Sequence, residues 1–540
     1  MSDISVSDSA PRISGSTIKW VFCGVIFLSA CLLFFIQPLF TRMVLPTIGG
    51  APAVWTTAML FFQTVLLGGY IYAHLMVKYV PAKAQIWVHL TLWGLALLFL
   101  PLGMPEGWQP DPAGSAVGQT LMLYALGVGV PFAFLSANAP LIQSWYRRSG
   151  GPSADDPYFL YGASNLGSMG ALIGFTLLAE PLLGVAAQAG FWSLGFGVLG
   201  LGFGGLALVL VRAKDAGFTA QSDAVTANTR AKIGLDQMSR WLILAFVPSS
   251  LMLAVTTKIS TDLGNLPLFW VLPLVIYLLT FVATFTHRPW VSDTILRLSI
   301  LPAIGLGLYC YHQLTLAPLL ALVPIFALIT LYAHRRLYQA RPSAENLTLI
   351  YVIMSVGGAA GGLFNSVVAP LAFDSLFEGT ATFLLAVAML FFVSPTPGVV
   401  PATWRRYVAL GGAGLAIAAV MTELVWLDVA VLAGVLLAAL MFLPRPASLI
   451  MSVVAVTGLG TLWQHPDALF QDRSFFGTHK VLDLPGKGVR AYVNGTTAHG
   501  YLDLSELEAQ TPTPLSYYHP NGPMAEVLTS DHLTDTASVG

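Results

Sequence analysis

Twelve stretches of this chain are apolar over about 19 residues, the length a helix needs to cross a hydrocarbon layer with its backbone groups bonded internally. They fall at about 20–45, 54–78, 84–102, 119–145, 158–183 and 187–211, and again at about 241–259, 267–286, 294–312, 316–334, 346–371 and 380–396. Runs of this length without strand-like alternation demand a helical bundle in lipid. Composition agrees: of 540 residues, 56% are hydrophobic and only 9% charged, against roughly a quarter charged in soluble domains. Shorter apolar runs near 407–422, 425–443 and 446–463 bring the expected total to about 14–15 spanning helices. The fold class is thus an all-α polytopic membrane protein with a small β-rich segment at its carboxyl end.

The two sets of six repeat one another. GGAPAVW (49–55) aligns with GNLPLFW (264–270), sharing glycine, proline and tryptophan at one offset, and both open the second helix of their set. The fifth helices pair as well: YFLYGASNLGSMGALIGFTLLAEP (158–181) and YVIMSVGGAAGGLFNSVVAP (351–370) are both apolar and glycine-lined. Gly170 and Gly174, with Gly167 one turn earlier, and Gly357 and Gly361 form GxxxG patterns. Such small residues let another backbone approach closely where lipid removes the hydrophobic drive to associate. Parallel six-helix repeats of this kind belong to the major-facilitator architecture, in which a ligand lies between the halves near the midplane. The expected division is a polar tail (1–18), a first repeat (19–212), a linker (213–240), a second repeat (241–397), additional helices (398–464) and a strand-rich segment (465–540).

Lysine and arginine orient the bundle. Lys78, Lys83, Arg147, Arg148, the basic residues of 212–240, Arg288, Arg297, Arg335, Arg336, Arg341, Arg405 and Arg406 occupy one side, and Glu106, Asp111, Glu180, Asp374 and Glu378 the other. By the positive-inside rule the amino terminus and the linker are expected in the cytoplasm, with the chain in a bacterial inner membrane. The serine-rich first residues and the long apolar run after them, without a small-residue cleavage site, predict a retained first helix rather than a removed signal.

An ionisable group in hydrocarbon costs on the order of 3 kcal/mol and usually faces a cavity or a partner. Lys258 and Asp262, four apart at the end of the seventh helix, share a face and are expected to pair, either as an interfacial salt bridge or at a ligand or proton site. Arg42 stands at the matching end of the first helix, near Gln37 and Thr41. Glu180 precedes Pro181, which ends its helix and carries the carboxylate toward the interface. Asn138, Asn165 and Asn365 are uncharged counterparts that bridge helices or hold a ligand by hydrogen bonds. For a cationic polyamine, Glu180 and Asp262 are the natural anchors.

Other motifs carry less. The net charge of −1 leaves no nucleic-acid footprint. Cys23, Cys31 and Cys310 lie in apolar segments without CxxC spacing. The GxGxxG match at 195–200 sits inside an apolar helix instead of after a strand, so it lacks the context of a dinucleotide site. His479, His499 and His519 are isolated, without metal-ligand spacing, and no nucleophile elbow is present.

From residue 465 the pattern becomes polar and alternating. FFGTHKVLDL (475–484) and VRAYVNGTTAHGYLDL (489–504), separated by the turn 485–488, read as short antiparallel strands, with Asn494-Gly495 as a type I′ hairpin rather than a glycosylation site. The last residues, 537–540, read as a strand just beginning, so an incomplete domain is expected.

DRSFFGTHKV (472–481), NGTTAHG (494–500) and PLSYYHPNGPMAEVL (514–528) resemble the entry to the catalytic portion of membrane-bound, spermidine-synthase-like proteins, in which a transporter-like region is fused to an aminopropyltransferase domain. IQPLFTRMVLPTIGGAPAVWTTAMLFFQ (36–63) is similar to the opening of that family. The resemblance implies that Tyr518 and His519 occupy a substrate-site position and that an S-adenosylmethionine-derived donor is used. The family has a glutamate where this chain has Pro520, and an Asp-Gly hairpin where it has Asn494-Gly495. Its Gly-rich donor loop and catalytic aspartate fall beyond Gly540, so this chain holds no cofactor site of its own and needs a fused or separate catalytic partner. The resemblance therefore implies a membrane-embedded protein handling a polyamine or a related small molecule. The alternatives are a stand-alone secondary transporter of a small solute and a non-transporting anchor for an enzyme.

Overall fold

A computed structural model describes residues 14–215, 233–393 and 468–529, apart from 51, 106, 112, 150, 264–266, 286–288, 314, 344–345, 476 and 496. Residues 216–232 of the linker, the apolar runs between 407 and 463 and the residues 537–540 lie outside the described residues.

The first six helices are α1 (Gly15–Ile48), α2 (Pro52–Tyr79), α3 (Ala82–Ala96), α4 (Ala116–Arg147), α5 (Phe159–Gly174) and α6 (Val185–Asp215). The second six are α7 (Leu235–Leu263), α8 (Pro267–Thr284), α9 (Asp293–Tyr311), α10 (Leu316–Gln339), α11 (Leu347–Leu363) and α12 (Glu378–Val393). Among the described residues, 8 helices are long and apolar enough to cross a membrane, or 9 counting the pair that meets at a 45° bend before Pro302. A proline there removes a backbone donor and crowds the preceding turn. Lipid offers the chain no alternative hydrogen bonds, so the helices persist through Pro38, Pro131, Pro248 and Pro324.

The halves pack by one plan. In the first, α1 lies against α5, α4 and α6; in the second, α7 lies against α11, α10 and α12. Between the halves, α2 crosses to α11 and α8 crosses to α5. The glycines explain the closest contacts, with one correction. A Cβ on Gly167 would meet the Phe27 carbonyl of α1 at 2.5 Å, and one on Gly357 would meet the Leu242 carbonyl of α7 at 2.7 Å, while Gly361 abuts the Ser250 amide. Gly170 and Gly174, expected to form the packing pair of α5, face open space. Helix rotation puts the Gly167 face, and not theirs, against α1.

Both fifth helices also share a local distortion. α5 continues through a π turn, Phe175–Ala179, into Glu180–Leu182, and α11 through a π turn, Phe364–Val368, into Ala369–Ala372. Pro181 and Pro370 follow these turns, and the wider turn relieves the clash between each ring and the carbonyl four residues earlier.

Beyond the helices, β1 (Phe470–Ser474), β2 (Gly477–Leu484), β3 (Val489–Asn494) and β4 (Thr497–Asp503) form one antiparallel sheet in the order β1-β2-β3-β4. Asn494 is still paired, opposite Thr497, so the β3–β4 turn begins at Gly495, one residue later than the expected Asn494-Gly495 centre; Gly495 has φ 59°, a left-handed conformation that glycine adopts without strain.

Candidate functional site

A cavity of about 150 Å³ lies between the halves, walled by α1, α2, α4 and α5 from one side and α7, α8 and α11 from the other. Its polar lining comes from hydroxyls and amides: Ser29 and Gln37 of α1, Gln63 of α2, Ser136 of α4, Ser249 of α7 and Ser355 of α11. α5 adds a stripe, Tyr161, Ser164, Asn165 and Ser168, whose spacing repeats on one helical face. Tyr70 and Tyr277 complete it, and the remainder is apolar. Among the described residues, no charged side chain belongs to this lining. Such a volume suits a molecule of about one ring.

The lining polar groups are held in place rather than loose. Asn165 Nδ2 donates to the Tyr161 carbonyl at 2.9 Å, Gln37 Nε2 to the Leu33 carbonyl at 3.2 Å, and Gln63 Nε2 to Ser249 Oγ at 3.1 Å. The last bond joins the halves. Among the described residues, Gln63 Oε1 and Ser355 Oγ are buried without a hydrogen-bond partner, and a polar group so situated favours a ligand that completes its bonds.

At the end that carries Arg147, Arg335 and Arg341, aromatic rings close the cavity. Tyr161 stacks on Tyr351 at 5.5 Å and meets Phe281 and Phe285 at 5.3 and 5.0 Å, and Tyr70 meets Tyr351 at 5.9 Å. Hydrogen bonds latch the same end: Tyr351 Oη donates to Gln143 Oε1 at 2.8 Å, Tyr158 Oη to the Pro342 carbonyl at 3.1 Å, and His74 Nδ1 lies 2.8 Å from Thr348 Oγ1. Every one of these pairs joins the two halves.

At the opposite end a throat of about 20 Å³ shares Met59, Met252 and Leu274 with the cavity and is lined by Thr56, Thr256, Thr257 and Ser260. Two ion pairs that involve residues singled out from sequence lie near this end. Lys258 Nζ lies 2.7 Å from Asp262 Oδ2, both largely buried, and Arg42 pairs with Glu180 across α1 and the end of α5.

The sheet is fastened at this end too. Arg473 of β1 grips Glu378 through two bonds of 2.8 and 2.9 Å and donates to the Ser375 carbonyl at 2.8 Å. The side chains are 8% and 1% exposed, so the pair is desolvated. Burial works against the Arg473 charge, but the adjacent Glu378 carboxylate more than offsets it and raises the arginine's pKa. The pKa of Lys480 of β2 is lowered, first by burial and further by the like charge of Lys258, against the raising fields of Asp374 and Asp262.

Of the residues singled out from sequence, Gln37 and Asn165 line the cavity. The others stand outside its lining. Asn138 is a structural bridge, with Nδ2 donating to Ser29 Oγ at 2.7 Å and Oδ1 2.7 Å from His89 Nε2. Asn365 donates to Ser250 Oγ and to the Gly361 carbonyl, tying α11 to α7. Arg42, Glu180, Lys258 and Asp262 are engaged in the two ion pairs above. Tyr518 and His519 sit on the exposed sheet module, Tyr518 against Tyr517 at 4.5 Å and His519 Nδ1 accepting from the Asn521 amide at 3.1 Å. Sequence reasoning passed over the hydroxyl stripe of α5, although its spacing was visible, because serine and tyrosine bring no charge to draw attention. No group of three or more metal-ligating side chains occurs among the described residues.

No family model matches the sequence, and no curated protein matches it. Similar solved structures are transporters. A point mutant of the nucleoside transporter NupG is 14% identical with a TM-score of 0.43, over 70% of this chain and 100% of that one. The major facilitator superfamily proton:xylose symporter XylE is 11% identical, TM-score 0.43, over 71% and 97%. A bacterial homologue of the human lysosomal transporter Spinster is 13% identical, TM-score 0.42, over 84% and 100%. The expected fusion to a spermidine synthase finds no support in these comparisons.

Proposed function

We propose that this protein is a secondary transporter of a small, uncharged solute that carries hydroxyl, carbonyl or amide groups on a partly apolar body. The carrying observation is the cavity between two similarly packed halves, lined among the described residues by hydroxyls and amides without a charged side chain. A solute ion entering it would give up hydration with no counter-ion, at a cost of several kcal/mol. Closure of one end by contacts between the halves fits alternating access, in which those contacts break as the other end closes.

A polyamine is a poorer fit. The carboxylates that would anchor it, Glu180 and Asp262, already pair with Arg42 and Lys258 outside the lining. By the positive-inside rule we read the arginine-rich end as cytoplasmic, in a bacterial inner membrane, with the amino terminus inside and the sheet outside. That reading separates the sheet from the cytoplasm, where an S-adenosylmethionine-derived donor would be found, and so argues against aminopropyl transfer at Tyr518 and His519.

The test is uptake into proteoliposomes of a labelled panel of neutral, cationic and anionic solutes. Accumulation of a neutral solute, reduced on the order of tenfold or more in Asn165→Leu, is expected. Flux confined to a polyamine would overturn the solute class, and no flux of any solute would leave a membrane anchor.

A further inference from the structure

We propose that the four-stranded sheet is a lid over the outer throat of the cavity, held shut by the Arg473–Glu378 pair. The inference rests on reading the cavity as a transport path. Two contacts and one electrostatic interaction support it. Arg473 closes a desolvated, two-bond ion pair with Glu378 and also holds the Ser375 carbonyl, so β1 is bound to both the α11–α12 connection and the start of α12. The β3–β4 turn rests on the end of α7: a Cβ on Gly495 would meet Thr261 Cγ2 at 2.6 Å and the Thr261 carbonyl at 2.9 Å. Thr261 adjoins Ser260, which lines the throat. Between these two points, β2 brings Lys480 into the electrostatic field of Lys258 and Asp262, on the same turns of α7 as Thr257 and Ser260.

The sheet's underside is built for this position. Arg473 lies opposite Thr478, and Lys480 opposite Val493, in cross-strand register, so these side chains share one face. His479 and Tyr492 project from the other, where His479 Nδ1 stands 2.7 Å from Tyr492 Oη. Arg473 and Lys480 thus face the helix ends that carry Glu378, Asp374, Lys258 and Asp262, while the His479–Tyr492 bond and the Arg490–Asp483 pair lie on the opposite face.

A buried ion pair broken on one side leaves a charge without its partner in a desolvated site, which is strongly unfavourable. Removing either partner therefore releases the lid, and exchanging the two charges restores it. The experiment uses the full chain with Cys23, Cys31 and Cys310 replaced by alanine and Ser260→Cys as reporter. A membrane-impermeant maleimide is added from the sheet's side. Slow labelling is expected in this parent, labelling faster on the order of tenfold or more with Arg473→Ala, and protection restored in the Arg473→Glu/Glu378→Arg exchange. The same acceleration is expected from Glu378→Gln, which guards against misfolding of one variant, and each is checked for a monodisperse elution profile. Fast labelling of the parent, or labelling unchanged by both single substitutions, overturns the lid. Because labelling needs no flux, a transporter assignment can fail while the lid stands, and the reverse.

Discussion

Tyr161 of α5 and Tyr351 of α11 stack at 5.5 Å across the boundary between the two halves. Each sits in the first or second turn of the fifth helix of its own repeat, so the ring pair is a seam between equivalent elements. Aromatic pairs contribute about 1 kcal/mol beyond burial. Tyr351→Ala is expected to shift the closed-to-open balance at this end by roughly fivefold. Labelling of a Ser164→Cys reporter from the arginine-rich side, in inverted vesicles, measures it, and an unchanged rate removes these rings from the closure.

The glycine contacts separate packing from mere composition. Gly357→Ala drives a methyl into the Leu242 carbonyl and is expected to destabilise the protein by about 1–3 kcal/mol. Gly170→Ala meets nothing within 4 Å and gains helix propensity. Thermal unfolding in detergent should lower the midpoint for the first and leave the second unchanged or slightly higher. Equal losses would contradict the packing.

The two asparagines of the first half should part company in the same way. Asn138→Leu removes the bonds to Ser29 Oγ and His89 Nε2, at about 1–3 kcal/mol. Asn165 bonds only within its own helix in the described contacts, so Asn165→Leu should cost little stability while changing which solute is carried. Unfolding midpoints read beside uptake distinguish the two, and a reversed pattern rejects the assignment.

Lid closure should tighten as pH rises through the lowered Lys480 pKa. Burial lowers the Lys480 pKa when the sheet is docked, whereas an undocked lysine keeps its ordinary value near 10.4. Between those values the undocked form binds more protons, so docking strengthens as pH rises through the lowered pKa and levels off above the ordinary one. Ser260→Cys labelling should slow over that interval in the parent and lose this dependence in Lys480→Met. A parent whose labelling accelerates with pH, after correction for thiol ionisation, would refute it.

Much of the fold was legible in the chain because lipid enforces a simple rule: an apolar run of sufficient length becomes a helix. The repeat was legible through GGAPAVW and GNLPLFW, and the strands through alternation around Asn494-Gly495. The site was legible only in part. Charge drew notice to Lys258, Asp262, Arg42 and Glu180, yet these residues satisfy one another at the bundle's end. Gln63 and Ser355 are indistinguishable in sequence from other polar side chains within helices, since what matters is which helix from the other half they face. The correction at Gly170 and Gly174 has the same origin, because a glycine pattern does not record which face a neighbour occupies.

The π turns preceding Pro181 and Pro370 give both fifth helices a weak joint at the same depth, where the regular ladder of backbone bonds is locally widened. Bending there disturbs few bonds, so each fifth helix is softest at the corresponding place in its repeat. Replacing one proline by alanine would remove the reason for one widened turn and leave the two fifth helices unequal in stiffness.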